Sequence, residues 1–356
     1  MTRRPGAFII SLDFELYWGV RDVLPLDRYR DNLLGARVAI PQMLALFDEF
    51  DVHATWATVG FLFFDRRDAL LAALPSVRPG YVNPSLSPYP FMAAIGASEE
   101  SDPFHYGRSL IEEIRRHPGQ EIATHTFSHF YCLEAGAETG AFRADLETAL
   151  RVARDDGIEI QTIVFPRNQV SAPHLRVCSE LGLVAYRGTQ PGWAYQPSQT
   201  DSHSTARRAL RLADAYISLS GEPKAATDSL ETATMVNVPA SRFLRPYSPR
   251  LRRLEHLKER RITRGMTFAA RHGLMYHLWW HPHNFGRHTR ENMSGLRRIL
   301  SHFAQLRDRW DMRALSMAEY ARHARPAGPA LQARSAAEFR NQPVAMAAHA
   351  TDGGGR

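Results

Sequence analysis

Two carboxylates, Asp13 and Glu15, stand at the end of the apolar run "AFIISLDFE". Acids placed where a buried strand ends can hold a cation or take a proton from a nucleophile. Further on, "EIATHTFSHFY" carries His125 and His129, four residues apart. In the first turn of a helix, residues i and i+4 share a face and can reach one ion. Neutral imidazole suits zinc and similar divalent cations. The chain has 16 histidines, so chance supplies such a spacing, and His277 with His281 repeats it. That second pair lies in a strand-like run, where four residues span roughly 13 Å, too far for one ion. "HLWWHPHNFG" puts His281 at the exit of this run, before Pro282, and "IVFPRNQ" puts Arg167 and Asn168 just past another.

One acid and two histidines make a hydrolytic metal site with room for water. The remaining acid can act as base, and His281 as acid. Trp18 follows the acids, and Trp193 stands in "PGWAY", where a Pro-Gly turn argues for a loop. With Asn168 and His283 they are candidate substrate contacts. Core packing is the default for most of the other aromatic residues.

These side chains need a scaffold that ends several strands at one place. Apolar runs of four to eight residues alternate with helical stretches at about 29–50, 109–116 and 141–154. The runs are "AFIISL", "VHATWATVG", "EIATH", "IQTIVFP", "GLVAYRG", "ATMVNVP" and "GLMYHLWWH". This alternation indicates parallel βαβ units closing toward a barrel, with the chemistry at the C-terminal ends of the strands. Two segments interrupt it, at about 65–105 and 188–230, and read as loop insertions. The expected barrel covers 1–324, and the Ala-, Pro- and Gly-rich 325–356 reads as a flexible tail.

The 356 residues carry a formal charge of +7, but Lys224 and Lys258 are the only lysines. No aromatic-plus-basic motif for nucleic acid stands out. The helical "SPRLRRLEHLKERRITRG" reads first as a solvated helix packing one face on the barrel, and docking to an anionic membrane surface or a lipid-linked substrate is its second reading. No stretch approaches the roughly 20 apolar residues of a membrane span, and the N-terminus reads as a first strand. A cytoplasmic protein is expected. Two cysteines, Cys132 and Cys178, offer no disulfide framework and no thiolate metal site.

In these motifs the sequence resembles the polysaccharide deacetylases of the NodB-homology type, carbohydrate esterase family 4. "EIATHTFSH" matches their His-x-x-x-His metal motif, and "HATWATVG" their second strand. "SLDFE" stands where they carry "TFDDG", "FPRNQ" near their Arg-Pro motif, and "WWHPH" near their last histidine motif. The resemblance implies an α/β fold, a distorted (β/α)7-type barrel carrying the two insertions. It implies removal of an N-acyl group, acetyl or formyl, from a saccharide by metal-dependent hydrolysis. His125 and His129 would bind one divalent ion, zinc before cobalt, manganese or nickel. Asp13 would deprotonate the metal-bound water, His281 would protonate the leaving amine, and Arg167 would hold Asp13. The family's second Asp is Phe14 here, which makes Glu15 the candidate third ligand. An exchange of roles between Asp13 and Glu15 stays open. A cytoplasmic enzyme would meet a nucleotide- or lipid-linked saccharide, or a small glycosylated molecule. Two other readings stand beside this one: a metal-free glycoside hydrolase on a related barrel, and a carbohydrate-binding protein that no longer catalyses. The oligomeric state is not legible.

Overall fold

The computed structural model describes residues 4–190, 214–216 and 235–324. Trp193, most of the second insertion and the 325–356 segment lie outside the described residues.

Among the described residues nine strands form one sheet: β1 (Ala7–Phe14), β2 (Ala54–Thr58), β3 (Gln120–Thr124), β4 (Thr162–Ile163), β5 (Ala185–Tyr186), β6 (Val236–Asn237), β7 (Arg242–Phe243), β8 (Met275–Trp280) and β9 (Arg313–Ala314). Their order is β6-β5-β4-β3-β2-β1-β8-β7, with β9 on β1. Every paired strand is parallel. Among the described residues no pairing joins β6 to β7, so the sheet is a distorted, curled barrel without full closure. The strand-like runs of the sequence shorten to two residues each in β4 to β7.

Strand β1 is buried along its whole length because helices cover one side and the barrel interior the other. The period of two divides its residues. Phe8, Ile10, Leu12 and Phe14 join the large outer core. Ile9 faces inward with Ala57, Ala123, Val164 and Ala185. Ser11 and Asp13 share its face. On β8, which pairs Ile9 with His277 and Ser11 with Trp279, the same alternation sends Tyr276, Leu278 and Trp280 outward.

Helix α1 (Leu26–Phe50) supplies much of the outer layer through Leu33, Ala36, Ile40, Met43, Leu44 and Phe47, spaced as one helical face. It meets the Pro282–Phe285 turn closely. A β-carbon on Gly35 would lie 2.0 Å from the Gly286 carbonyl oxygen, so glycine sets how near the helix comes to the loop after β8. Helices α3 (Arg108–Arg116), α4 (Thr139–Asp155), α5 (Ala172–Glu180), α6 (Glu255–His272), α7 (Thr289–Trp310) and α8 (Met317–Ala324) complete the layer, with α2 (Arg67–Ala73) in the first insertion. That insertion is more than a loop: Leu70, Met92, Ile95 and Phe104 join the outer core. The basic helix of the sequence is α6, preceded by the 3-10 turn Pro249–Leu254. As expected it packs one face on the barrel, through Ile262, Met266, Ala269 and Ala270, and it also buries Lys258 and Arg261, the latter paired with Asp214 at 3.0 Å.

Candidate active site

After Phe14 the chain leaves β1 and turns through the 3-10 segment Leu16–Gly19, with Leu16 at φ 46°. This turn swings the Glu15 carboxylate back over the strand ends, where it is buried.

His125 and His129 follow β3, but no helix carries them. They come together in a loop in which Thr126 (φ 64°) and His129 (φ 59°) are left-handed. Such backbone is costly for residues other than glycine and needs support. Asp145, on α4, provides it: its carboxylate accepts the Phe127 amide at 2.7 Å, the Ser128 amide at 3.1 Å and the Ser128 hydroxyl. The Thr126 hydroxyl accepts the Phe130 amide at 2.7 Å. Burial pushes the Asp145 carboxyl up to about 7, against these donors.

The two imidazoles converge on one oxygen. Glu15 Oε2 lies 3.0 Å from His129 Nε2 and 3.3 Å from His125 Nε2. His125 Nδ1 donates to the Val164 carbonyl at 2.8 Å. A carbonyl only accepts, so neutral His125 carries its proton on Nδ1 and turns a bare Nε2 to Glu15. That nitrogen is buried and has no hydrogen-bond partner. A lone pair facing a carboxylate oxygen is repulsive unless a cation lies between them. Ligand atoms of Glu15, His125 and His129 all lie within 4.8 Å of one another. Tetrahedral zinc with bonds near 2.1 Å holds its donors about 3.4 Å apart. The donor set therefore fits a divalent ion. Burial would raise the Glu15 carboxyl, but the imidazoles around it hold it well below the usual range. Burial lowers His129, against the pull of Glu15.

Asp13 sits beside this group. The arginine that grips it is Arg187, directly after β5: Nη1 reaches Oδ1 at 2.6 Å and Nη2 reaches Oδ2 at 2.8 Å. Arg167, expected in that place from "FPRNQ", instead pairs with Asp22 and lies over the Tyr131 ring, 4.3 Å from its centroid. The reason is the turn after β4: Arg167 and Asn168 both have positive φ, at 53° and 54°. Asn168 does reach the clamp, accepting from Arg187 Nη2 at 3.0 Å. Burial would raise Asp13, but the Arg187 guanidinium outweighs it and keeps the carboxyl below its usual value.

His281 Nε2 is 3.5 Å from Glu15 Oε1 and 3.7 Å from Asp13 Oδ2. It keeps partial exposure, with 23% of its side chain accessible, so a substrate can reach it. Asn284 Nδ2 is 3.3 Å from its other ring nitrogen. His283 is buried beside it, its Nε2 3.9 Å from Glu15 Oε1. Burial and the neighbouring His281 push His283 down to about 3, so it is neutral. Trp18 is not a surface platform. It is buried against Phe61 and His105, and its indole donates to the His105 carbonyl at 2.8 Å.

No protein-family model and no curated protein matches the sequence. Among solved structures the chain is similar to a protein described as a polysaccharide deacetylase from Mycobacterium smegmatis, at TM-score 0.54 and 14% identity, over 92% of this chain and 96% of that one. The chain has the polysaccharide-deacetylase fold. The fold is also that of the allantoinase Puue, at TM-score 0.50 and 12% identity, over 89% of this chain and 88% of the other.

On this deacetylase fold the sequence reading missed three residues that shape the site. Arg187 was hidden inside the strand-like run "GLVAYRG", where a fully buried arginine is unexpected. Asp145 lies mid-helix, far along the chain from the histidines it steadies. Gly19 leaves room for the Glu15 carboxylate, a tertiary fit that no motif signals. The period of two on β8, which puts His277 and Trp279 on the inner face, was open to sequence reasoning.

Proposed function

We propose that this chain is a divalent-metal-dependent hydrolase that removes an N-acyl group from a saccharide or a glycosylated small molecule, with residues 1–324 as the catalytic unit. One observation carries the reading: the buried His125 Nε2 and His129 Nε2 both meet Glu15 Oε2, with an ionised Asp13 and a reachable His281 beside them. Glu15, His125 and His129 would hold the ion. When bound, it supplies Lewis acidity to the acyl carbonyl and acidifies water from a pKa of 15.7 toward about 7.

The rest falls to the chain. Asp13 takes the proton of the attacking water, and Arg187 keeps its carboxylate charged and oriented. His281 Nε2 gives a proton to the departing nitrogen, which an amide requires because its anion is a poor leaving group. General acid and base groups of this kind are each worth about 10²–10⁴-fold. Zinc is the first candidate ion, and a nucleotide- or lipid-linked sugar in the cytoplasm is the proposed setting.

The test is metal depletion and reloading. The stripped chain is reloaded with zinc, cobalt, manganese or nickel, bound ions are counted, and acetate or formate release from N-acylated sugars is followed. One ion per chain with ion-dependent release is expected. Release that is unaffected by stripping, or a chain that binds no ion, overturns the proposal.

A further inference from the structure

His277 is buried in the barrel interior, four residues before His281 on β8, and takes no part in the chemistry above. Its surroundings assign it a direction. His277 Nδ1 is 3.1 Å from the Val238 carbonyl, which can only accept, so Nδ1 carries the proton. Burial pushes the imidazole down to about 3, so it is neutral and Nε2 is a bare acceptor. Ser11 Oγ, 2.8 Å away, must then donate to it. With its only proton spent there, Ser11 turns a lone pair to Arg187 Nη1 at 3.1 Å. All four Nη hydrogens of Arg187 are thereby used: two on Asp13, one on Asn168 and one on Ser11.

We propose that His277 and Ser11 are positioning residues that fix the plane of the Arg187 guanidinium and through it the pose of Asp13. Four acceptors in fixed places leave the planar fork one orientation. A non-titrating acceptor at Nε2 is what makes Ser11 an acceptor rather than a competing donor. The relay spans β1, β5, the segment between β6 and β7, and β8, so it ties the strand ends around the base. It rests on the proposed function for its catalytic consequence, but the hydrogen-bond polarity stands without it.

Ser11→Ala removes the acceptor and leaves Arg187 and Asp13 in place. The expected result is a fall in kcat of roughly tenfold with KM and bound ion unchanged, since a slightly misplaced group costs turnover rather than affinity. Ser11→Thr, which keeps the hydroxyl, restores most of it. In the Asp13→Asn background, where there is no base to aim, Ser11→Ala has no further effect. Independently, nitrogen NMR of histidine-labelled protein, with His277→Phe identifying the resonance, shows a neutral ring protonated at Nδ1 near pH 7. An unchanged kcat in Ser11→Ala, an equal fall in the Asp13→Asn background, or a proton on Nε2 overturns the relay. If the wild-type chain hydrolyses no acylated sugar, the functional reading fails, and the tautomer alone decides the polarity of the relay.

Discussion

Gly19 and Glu15 occupy a shared space: a β-carbon on Gly19 would fall 1.9 Å from Glu15 Cδ and 2.1 Å from Oε1. The glycine is required by its neighbour's carboxylate, since no side chain fits where that carboxylate lies. Gly19→Ala therefore acts on the ion site without touching a candidate ligand. The expected outcome is loss of divalent-ion binding close to that of Glu15→Gln, read by ion content after dialysis, with the folded state retained in both. Full ion retention in Gly19→Ala would show that Glu15 has another productive pose.

The Arg187–Asp13 pair yields a second prediction because both partners are buried. Arg187→Met leaves a carboxylate buried and unpaired, which costs about 3–5 kcal/mol. Adding Asp13→Asn removes that charge. The double variant should recover most of the stability, measured by denaturant unfolding, and none of the turnover. Arg187→Lys keeps the charge but not the two-point grip, so it should stay folded and lose roughly tenfold to a hundredfold in kcat.

Asp13 and His281 can be separated from the ion ligands by what each variant keeps. Asp13→Ala and His281→Ala should each lower kcat by about 10²–10⁴-fold while the ion stays bound. If Asp13→Ala instead empties the site of its ion, Asp13 is a ligand and the two acids have exchanged roles.

Much of the architecture was legible because strands announce themselves by composition and period. The inner-face positions of β1 follow from alternation alone, which is why Asp13 and Glu15 could be placed at the barrel mouth. The local structure around the histidines was not legible. An i, i+4 spacing suggests a helix, yet residues 125–129 form a loop with two left-handed residues, held by a carboxylate 16 residues downstream of His129. Nothing near the histidines signals that support, because it is tertiary. The same holds for the choice between Arg167 and Arg187. Both follow strand ends, and only the turn geometry after β4 and the inward direction after β5 decide which one meets β1.

Away from the ion site, His174 supplies a pH prediction. It is buried on α5 against Phe142 and Phe130, and burial lowers it to about 4 from an ordinary 6.5. Between those values the unfolded chain binds a proton that the folded chain does not. Stability contributed at this site is therefore complete above about pH 6.5 and falls as the pH drops toward 4. His174→Leu fills a similar volume beside Phe142 and Phe130, gives up the Ser171 hydroxyl contact at Nδ1 and cannot titrate. Relative to wild type, the variant should gain about 2 kcal/mol between pH 7.5 and pH 5, from 1.36 kcal/mol per pH unit below 6.5. Urea unfolding of both proteins at the two pH values measures the difference directly. A gap that does not change with pH would mean that His174 takes up its proton equally in the folded and unfolded chains.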